Sequence, residues 1–197
     1  IAILTLEFLV ERTLSFLNIK HWSPELPEFL KAFYDKEKYQ KSMDYSLANS
    51  KVSWFSSVVS FIAIILMLSF GGFALLDTWT RGITEHPILL ALIFFGILGI
   101  ASDIIGLPLS IYQTFGIEEK FGFNKSTPKI FIFDKIKGYL LAFIIGGGIM
   151  SLLVYLFEQF GDWFWFLAWV SISVFSIFMS LFYSQLIVPL FNKQTPL

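Results

Sequence analysis

The chain has 197 residues, of which 56% are hydrophobic, 19% are aromatic and only 15% are charged, with a net charge of −1. A water-soluble domain of this length needs a polar shell that this composition cannot supply, and a disordered chain needs the opposite composition. With no Cys and almost no net charge, a disulfide framework, a cysteine nucleophile and a basic nucleic-acid-binding surface are excluded. The composition predicts an all-α, polytopic membrane protein.

Five apolar stretches are candidate membrane helices, because about 20 apolar residues cross a hydrocarbon core roughly 30 Å thick. The first begins at Ile1 and is short, so we expect it to be the inner part of a longer span. Trp residues stand near several predicted ends, where indole rings favour the lipid headgroups. The predicted spans cover residues 1–17, 52–76, 87–117, 138–157 and 163–191.

The basic residues predict how these spans are oriented. All 14 Lys and Arg residues except Arg12 and Arg81 fall in 18–51, in 118–137 or after the last span. Cytoplasmic loops of membrane proteins carry this excess of positive charge, so we expect these segments and the C-terminus to be cytoplasmic. Proline and acidic residues at 23–28, followed by an apolar stripe at 29–33, predict a short surface helix there.

Charged side chains inside spans are functional candidates, because burying one in lipid costs several kcal/mol. Glu7 and Glu11 lie four residues apart on one helix face and Arg12 follows, while Asp103 lies in the middle of the third span. One interpretation is that these four side chains line an internal water-filled cavity. The alternatives are that the first three lie in the cytoplasmic interface and that Asp103 is a buried, satisfied side chain.

The histidines and glycines do not form a recognisable catalytic or phosphate-binding motif. The predicted topology places His21 and His86 on opposite sides of the membrane, and the sequence has no HExxH, so we expect no zinc site within this segment. There is no GxSxG nucleophile motif either. Gly146, Gly147 and Gly148 lie inside a span, where small residues favour close helix packing.

The run at 106–127 is the most distinctive in the chain. Pro108 lacks a backbone donor and leaves the carbonyl of Ile104 without its helical partner, which predicts a bend or a break. Charged residues at 118–120 end the span, and Gly122 and Asn124 are residues that tolerate a left-handed turn. The pattern predicts a distorted helix, a charged exit and a tight turn.

This run, from Leu107-Pro108 to Gly122-Phe123-Asn124-Lys125, resembles the CAAX prenyl protease 1 family. Three further stretches are similar to that family in the same order, at 37–45, 160–169 and 189–197. The positions that carry the resemblance are the motif residues Pro108, Glu118, Glu119, Gly122, Asn124 and Lys125, and the residues after the last span, Pro189, Asn192 and Pro196.

The resemblance implies a fold and an activity. Members of the CAAX prenyl protease 1 family have seven membrane helices around a water-filled chamber. By this resemblance, residues 1–197 correspond to the family's N-terminal five-helix membrane domain. The family are zinc endopeptidases that remove the C-terminal tripeptide from prenylated CaaX proteins, with less clear substrates in bacteria. The implied partners are the lipid bilayer, the prenylated or other membrane peptide and the enzyme's own catalytic domain, with no nucleic acid.

The resemblance also says where the chemistry lies. In the family an HExxH motif and a later Glu hold zinc beyond the fifth span, so no catalytic or metal residue is assigned to this chain, which we expect to be inactive alone. The implied location is the endoplasmic reticulum membrane in a eukaryote or the plasma membrane in a bacterium. The chain departs from the family at Phe121, where members often have His or Arg.

Two alternatives to a protease membrane domain stay open on the sequence. Polar residues inside spans and Pro108 suit a small transporter or channel-like module, although no inverted repeat is present. A non-catalytic membrane scaffold would keep the same loops. The residues at 118–125 either brace the catalytic domain or only form a turn.

Overall fold

The computed structural model describes residues 1–22 and 35–191, and within them the chain is helical with no strand. The main helices are α1 (Ala2–Lys20), α2 (Lys36–Ser69), α3 (Gly72–Arg81), α4 (Pro87–Tyr112), α5 (Glu119–Phe121), α6 (Pro128–Leu141), α7 (Gly147–Phe160), α8 (Phe164–Leu186) and α9 (Val188–Phe191). Short π-helical segments, Gln113–Glu118 and Ala142–Gly146, join α4 to α5 and α6 to α7. The described residues therefore form five long helical segments, which confirms the all-α fold.

The membrane character of the fold is visible on its surface. Among the described residues, helical stretches at Lys36–Ser69, Pro87–Phe121 and Pro128–Phe191 are long and apolar enough to cross a membrane. Large apolar side chains are exposed along them, and Trp54, Trp79, Trp163 and Trp165 are each more than half exposed. Such a surface is suited to lipid and not to water. The protein is an integral membrane protein.

Several helix ends differ from the predicted spans. Helix α2 begins at Lys36, capped by the Asp35 side chain, and ends at Ser69, so the stretch 52–76 is not one helix. Gly71 adopts a left-handed φ of 67° and starts α3 after a turn. This is a typical way to end a helix, because glycine takes that conformation without a steric cost. The surface helix predicted at 23–33 lies outside the described residues.

The third and fourth long helices also extend differently from their predictions. Helix α4 continues through Pro108 and into the π-helical segment, so proline does not break it. Helix α6 begins at Pro128, where the Thr127 hydroxyl accepts a hydrogen bond from the Ile130 N–H at 3.3 Å. Helix α8 ends at Leu186, before a separate turn of helix at Val188–Phe191.

The chain divides into two compact units, of which the first comprises Ile1–Asp77 and Ile100–Lys125. Within it, the rings of Phe8 on α1 and Phe61 on α2 stack with centroids 4.1 Å apart. The cytoplasmic end of α2, as the lysines predict it, packs against the end of the α4–α5 helix. This packing positions the motif residues described below.

The second unit comprises Thr78–Gly99 and Ser126–Leu197, and its α6–α7 and α8 segments form an antiparallel hairpin. At the closed end, the rings of Phe157 and Phe164 lie 5.3 Å apart on either side of Gly161, whose φ is 43°. At the open end, the Lys137 Nζ lies 5.5 Å from the Phe191 ring centroid. The stretch Pro128–Phe191 therefore consists of two antiparallel helical arms, and its two membrane spans stay a prediction. A methyl group at Gly147 would meet Leu92 at 3.6 Å, so this glycine lies at a helix contact. Methyl groups at Gly146 and Gly148 would meet no atom of the described residues within 4 Å, so the close packing predicted for these two glycines is not present there.

Candidate functional site

The segment Glu118–Lys125, here called the motif loop, is a well-formed helix C-terminus. Gly122 has a left-handed φ of 78°. The Phe123 N–H bonds the Glu118 carbonyl at 2.8 Å, and the Gly122 N–H bonds the Glu119 carbonyl at 3.1 Å. These two bonds form a Schellman motif, which uses carbonyl groups that the helix end would otherwise leave unpaired. The predicted left-handed turn at Gly122 is confirmed.

A side-chain hydrogen bond closes the motif loop. The Asn124 Nδ2 donates to the Glu119 Oε2 at 2.8 Å, and Asn124 is half-buried. The bond joins a residue before the left-handed turn to one after it, and a charged acceptor makes it stronger than a neutral pair. Two of the sequence-predicted residues are thus brought together, and they hold the turn closed.

Aromatic side chains attach the motif loop to α2. Phe121 is only 8% exposed, and its ring meets the edge of Tyr45 at 5.4 Å. The Phe123 ring meets the same tyrosine at 4.8 Å, and Lys41 lies 5.7 Å from the Phe123 ring centroid. Edge-to-face ring pairs of this kind are each worth about 0.5–1.5 kcal/mol beyond their buried area. The site is therefore a packed joint and not a free loop.

A second contact joins the same two helices closer to the apolar region. The Gln113 Nε2 donates to the Asn49 Oδ1 at 3.2 Å, and the Asn49 Nδ2 donates to the Tyr45 carbonyl at 3.1 Å. Gln113 begins the π-helical segment, which ends at Glu118. A π-helical turn carries an extra residue and reorients the side chains after it, so it sets the direction from which Ile117 and Phe121 meet α2.

Sequence reasoning missed the central residues of this joint. In the sequence, Tyr45 stands out only as part of the stretch at 37–45, and Phe121 only as a departure from the family. Phe121 has an apolar ring where the family often has His or Arg, directly after the charged residues that end the span. This substitution was the feature of the sequence that could have indicated a buried side chain. The pairing of Asn49 with Gln113 joins residues 64 positions apart and had no signal in the sequence pattern.

A cavity of about 690 Å³ lies beside the joint, between α2 and the helix that leads to the motif loop. Its wall includes Val52, Phe55 and Leu109, and the charged side chains of Lys51 and Lys120 lie at its boundary. Its size is in the range of about 300–1,000 Å³ that small-molecule sites occupy. The cavity is one of the recesses in the described part of the chain.

The remaining predicted site residues are spread over the chain. Pro108 is exposed within α4, Lys125 is exposed after the turn, and Pro189 is exposed in α9. Glu118 is half-buried, and its contribution to the turn is the backbone carbonyl described above. Asn192 and Pro196 lie outside the described residues.

The four candidate chamber-lining charges lie on two helices of the first unit. On α1, Glu7 and Glu11 are exposed, and the Arg12 Nη2 lies 3.5 Å from the Glu11 Oε2. The Arg12 guanidinium also lies 5.9 Å from the Phe8 ring centroid. Asp103 is half-buried on α4. Arg12 thus supplies a cation beside Glu11, and the water-lining role of all four side chains stays a prediction.

No three His, Cys, Asp or Glu side chains within residues 1–22 and 35–191 are grouped so that they could hold a metal ion. The described residues therefore do not fit the zinc that the resemblance implies for the complete enzyme. The motif loop offers a hydrogen-bonded turn and a cation-flanked aromatic cluster. Its geometry is that of a structural joint.

Comparison with known proteins gives the family. Residues 15–193 match the family described as CAAX prenyl protease N-terminal, five membrane helices. The chain is 35% identical to the human CAAX prenyl protease 1 homolog over 184 residues, which cover 90% of this chain and 38% of the human protein. It is 34% identical to CAAX prenyl protease 1 of Saccharomyces cerevisiae, covering 88% of this chain and 40% of the yeast protein.

A solved structure agrees in fold as well. The crystal structure of S. mikatae Ste24p superposes with a TM-score of 0.87 at 33% sequence identity, covering 100% of this chain and 47% of that one. The chain thus spans about two fifths of the curated relatives that it matches. Five long helices and the matched range together show that this chain belongs to the CAAX prenyl protease N-terminal family.

Proposed function

We propose that this chain forms part of the chamber wall of a zinc metalloendopeptidase that removes C-terminal tripeptides from prenylated CaaX proteins or, in a bacterium, cleaves other membrane peptides. The match to the family over residues 15–193 is the observation that carries the proposal. The apolar exterior supports a place in the bilayer, and the named relatives are CAAX prenyl proteases. Zinc would be held by residues of the complete enzyme outside this chain.

Within that function, Glu7, Glu11, Arg12 and Asp103 would face the water of the chamber. A charged side chain against lipid costs several kcal/mol, whereas the same side chain against water costs little. The carboxylates of Glu7 and Glu11 are exposed on a helix whose exposed side chains are mostly apolar, and this supports the role. A polar lining of this kind keeps a peptide substrate hydrated inside the membrane.

The motif loop would brace the catalytic domain on the cytoplasmic side. The Asn124–Glu119 hydrogen bond and the Phe121–Tyr45 contact hold the loop rigidly on α2, which supports this role. A rigid support positions catalytic groups that a separate domain supplies. The orientation predicted from the lysines would place the loop on the side where the family's zinc site lies.

The activity is tested with the full-length protein in detergent or liposomes and a farnesylated CaaX peptide. We expect release of the terminal tripeptide, loss of release with a zinc chelator, and no release from the same peptide without its farnesyl group. Binding without cleavage would favour the scaffold alternative. Substrate-dependent flux across liposomes without cleavage would favour a transporter.

The bracing role is tested separately with Asn124→Leu in the full-length protein. We expect turnover to fall about tenfold while the melting temperature changes by only a few degrees, because the loop keeps its backbone hydrogen bonds and loses the side-chain bond to Glu119. Asn18→Leu, at an exposed position of α1, is the matched control and should change neither quantity. Unchanged turnover with unchanged stability in Asn124→Leu would disprove the bracing role.

A further inference from the structure

The cavity beside the motif loop has two kinds of wall. Most of its lining is apolar, formed by Leu47, Ala48, Val52, Phe55, Leu109 and Ile117. Three charged side chains, Asp44, Lys51 and Lys120, also line it. An apolar wall with adjoining positive charges is complementary to a molecule that has an apolar tail and an anionic head.

The two lysines of the cavity are available to a ligand. Within the described ranges, neither Lys51 nor Lys120 has a carboxylate at ion-pair distance, and both side chains belong to exposed residues. Lys120 lies 5.6 Å from the Phe121 ring centroid, and a lysine ammonium group has three donors with which it can bind an anion. With one aspartate against two lysines, the charged lining is net positive.

The same lysines stand at the predicted height of the lipid headgroups. Lys51 immediately precedes the predicted span that starts at residue 52, and Lys120 follows the predicted span that ends at residue 117. The lysine distribution predicts that this is the cytoplasmic side, where the leaflet carries anionic lipids. Basic pockets between membrane helices on that side are suited to phospholipid headgroups.

We propose that this cavity binds one anionic phospholipid of the cytoplasmic leaflet, with its phosphate between Lys51 and Lys120. One acyl chain would lie along Val52, Phe55 and Leu109, in the part of the cavity that leads towards the membrane. The bound lipid would bridge α2 and α4 beside the Phe121–Tyr45 contact and so stabilise the joint under the motif loop. This inference is independent of proteolytic activity, since it concerns binding and stability.

The experiment measures the melting temperature of the full-length protein in detergent with added lipid, and counts bound lipids by native mass spectrometry. We expect dioleoyl phosphatidylserine to raise the melting temperature by about 5 °C near saturation, and dioleoyl phosphatidylcholine to have a much smaller effect. Lys51→Gln combined with Lys120→Gln should remove most of the difference between the two lipids. Lys36→Gln combined with Lys129→Gln, which removes the same charge at exposed positions away from the cavity, should preserve it.

Further probes separate a phospholipid from other anions and from substrate. Inorganic phosphate and a six-carbon-chain phosphatidylserine should not reproduce the effect, because they lack a tail that fills the apolar wall. Ala48→Phe should reduce phosphatidylserine binding at least tenfold by filling that wall, and it keeps the test decisive if the double-lysine variant does not fold.

Three results would overturn the proposal. Equal stabilisation by both phospholipids would show that no charged headgroup site exists. An equal effect of inorganic phosphate would show a plain anion site. If the protein showed no preference for phosphatidylserine over phosphatidylcholine, and a farnesylated peptide displaced both lipids, the cavity would be assigned to the substrate.

Discussion

At the scale of single residues, tight packing is concentrated in few places. The buried apolar residues of the described structure are Ile117, Phe121, Leu156 and Ala168, and the first two belong to the joint between the motif loop and α2. Helices that face lipid need little mutual burial, because lipid tails solvate their apolar side chains as well as a neighbouring helix does. The motif-loop joint, in contrast, depends on packing of the kind found in soluble domains.

Phe121→Ala should destabilise this joint strongly. Truncating a buried Phe removes its transfer free energy and leaves a cavity, at a total cost of about 3 kcal/mol. Phe123→Ala is the matched control, because Phe123 touches the same tyrosine but is 54% exposed. We expect its cost to be about 1 kcal/mol. Chemical denaturation of the full-length protein measures both, and equal costs would show that Phe121 is not the anchor.

Gly122 makes a second prediction at the same scale, which concerns backbone conformation alone. A methyl group there would lie 3.9 Å from Lys41 Nζ, an ordinary contact, so Gly122→Ala should lose about 1 kcal/mol from its φ of 78° and not from a clash. Gly122→Asn should lose less, because Asn tolerates this conformation. Gly106→Ala, in open space within α4, should instead gain stability. Equal melting temperatures for the Ala variants at 106 and 122 would contradict this account.

At the scale of elements, the α4 helix passes through Pro108 before it changes to π-helical geometry. We expect Pro108→Ala to raise the melting temperature by a few degrees, because an interior proline costs a helix up to about 3 kcal/mol. Pro87→Ala is the control, since Pro87 is the first residue of α4, where proline costs nothing. If both variants had the same stability, Pro108 would not distort the helix.

At the scale of the whole molecule, the predicted arrangement of the spans in the membrane can be tested with single cysteines, because the chain has none of its own. Lys38→Cys and Lys125→Cys should react with a membrane-impermeant maleimide from the cytoplasmic side. Glu85→Cys and Gln159→Cys should react from the opposite side, and all four positions are exposed. If the cysteines at 38 and 125 reacted from opposite sides, the number of passes between them would be odd and the predicted topology wrong.

The all-α membrane fold could be predicted because the length of each apolar stretch can be counted in the sequence. Five stretches of about membrane-spanning length led to five long helices, even though their ends shifted. Hydrophobicity detects the lipid-facing part of a helix but not a polar extension such as residues 36–51 of α2. The helix end at Ser69 depends on the left-handed conformation of Gly71, inside a run that is apolar on both sides.

The left-handed turn of the candidate site could be predicted from the sequence, whereas the packing of the site against α2 could not. Gly122 and Asn124 signal a left-handed turn by residue type alone, and the turn is present. The contacts of Phe121 with Tyr45 and of Gln113 with Asn49 join distant parts of the chain, and a one-residue change in the π-helical segment would redirect them. Such contacts follow from how helices meet, which no local pattern in one sequence specifies.

The unbroken course of α2 has a consequence for distance. At 1.5 Å per residue, a helix without a break from Tyr45 to residue 52 holds the aromatic joint about 10 Å above the predicted membrane boundary. An extended peptide covers about 3.3 Å per residue, so roughly three residues bridge that height. The distance along α2 from the predicted boundary to Tyr45 is therefore about the length of three extended residues.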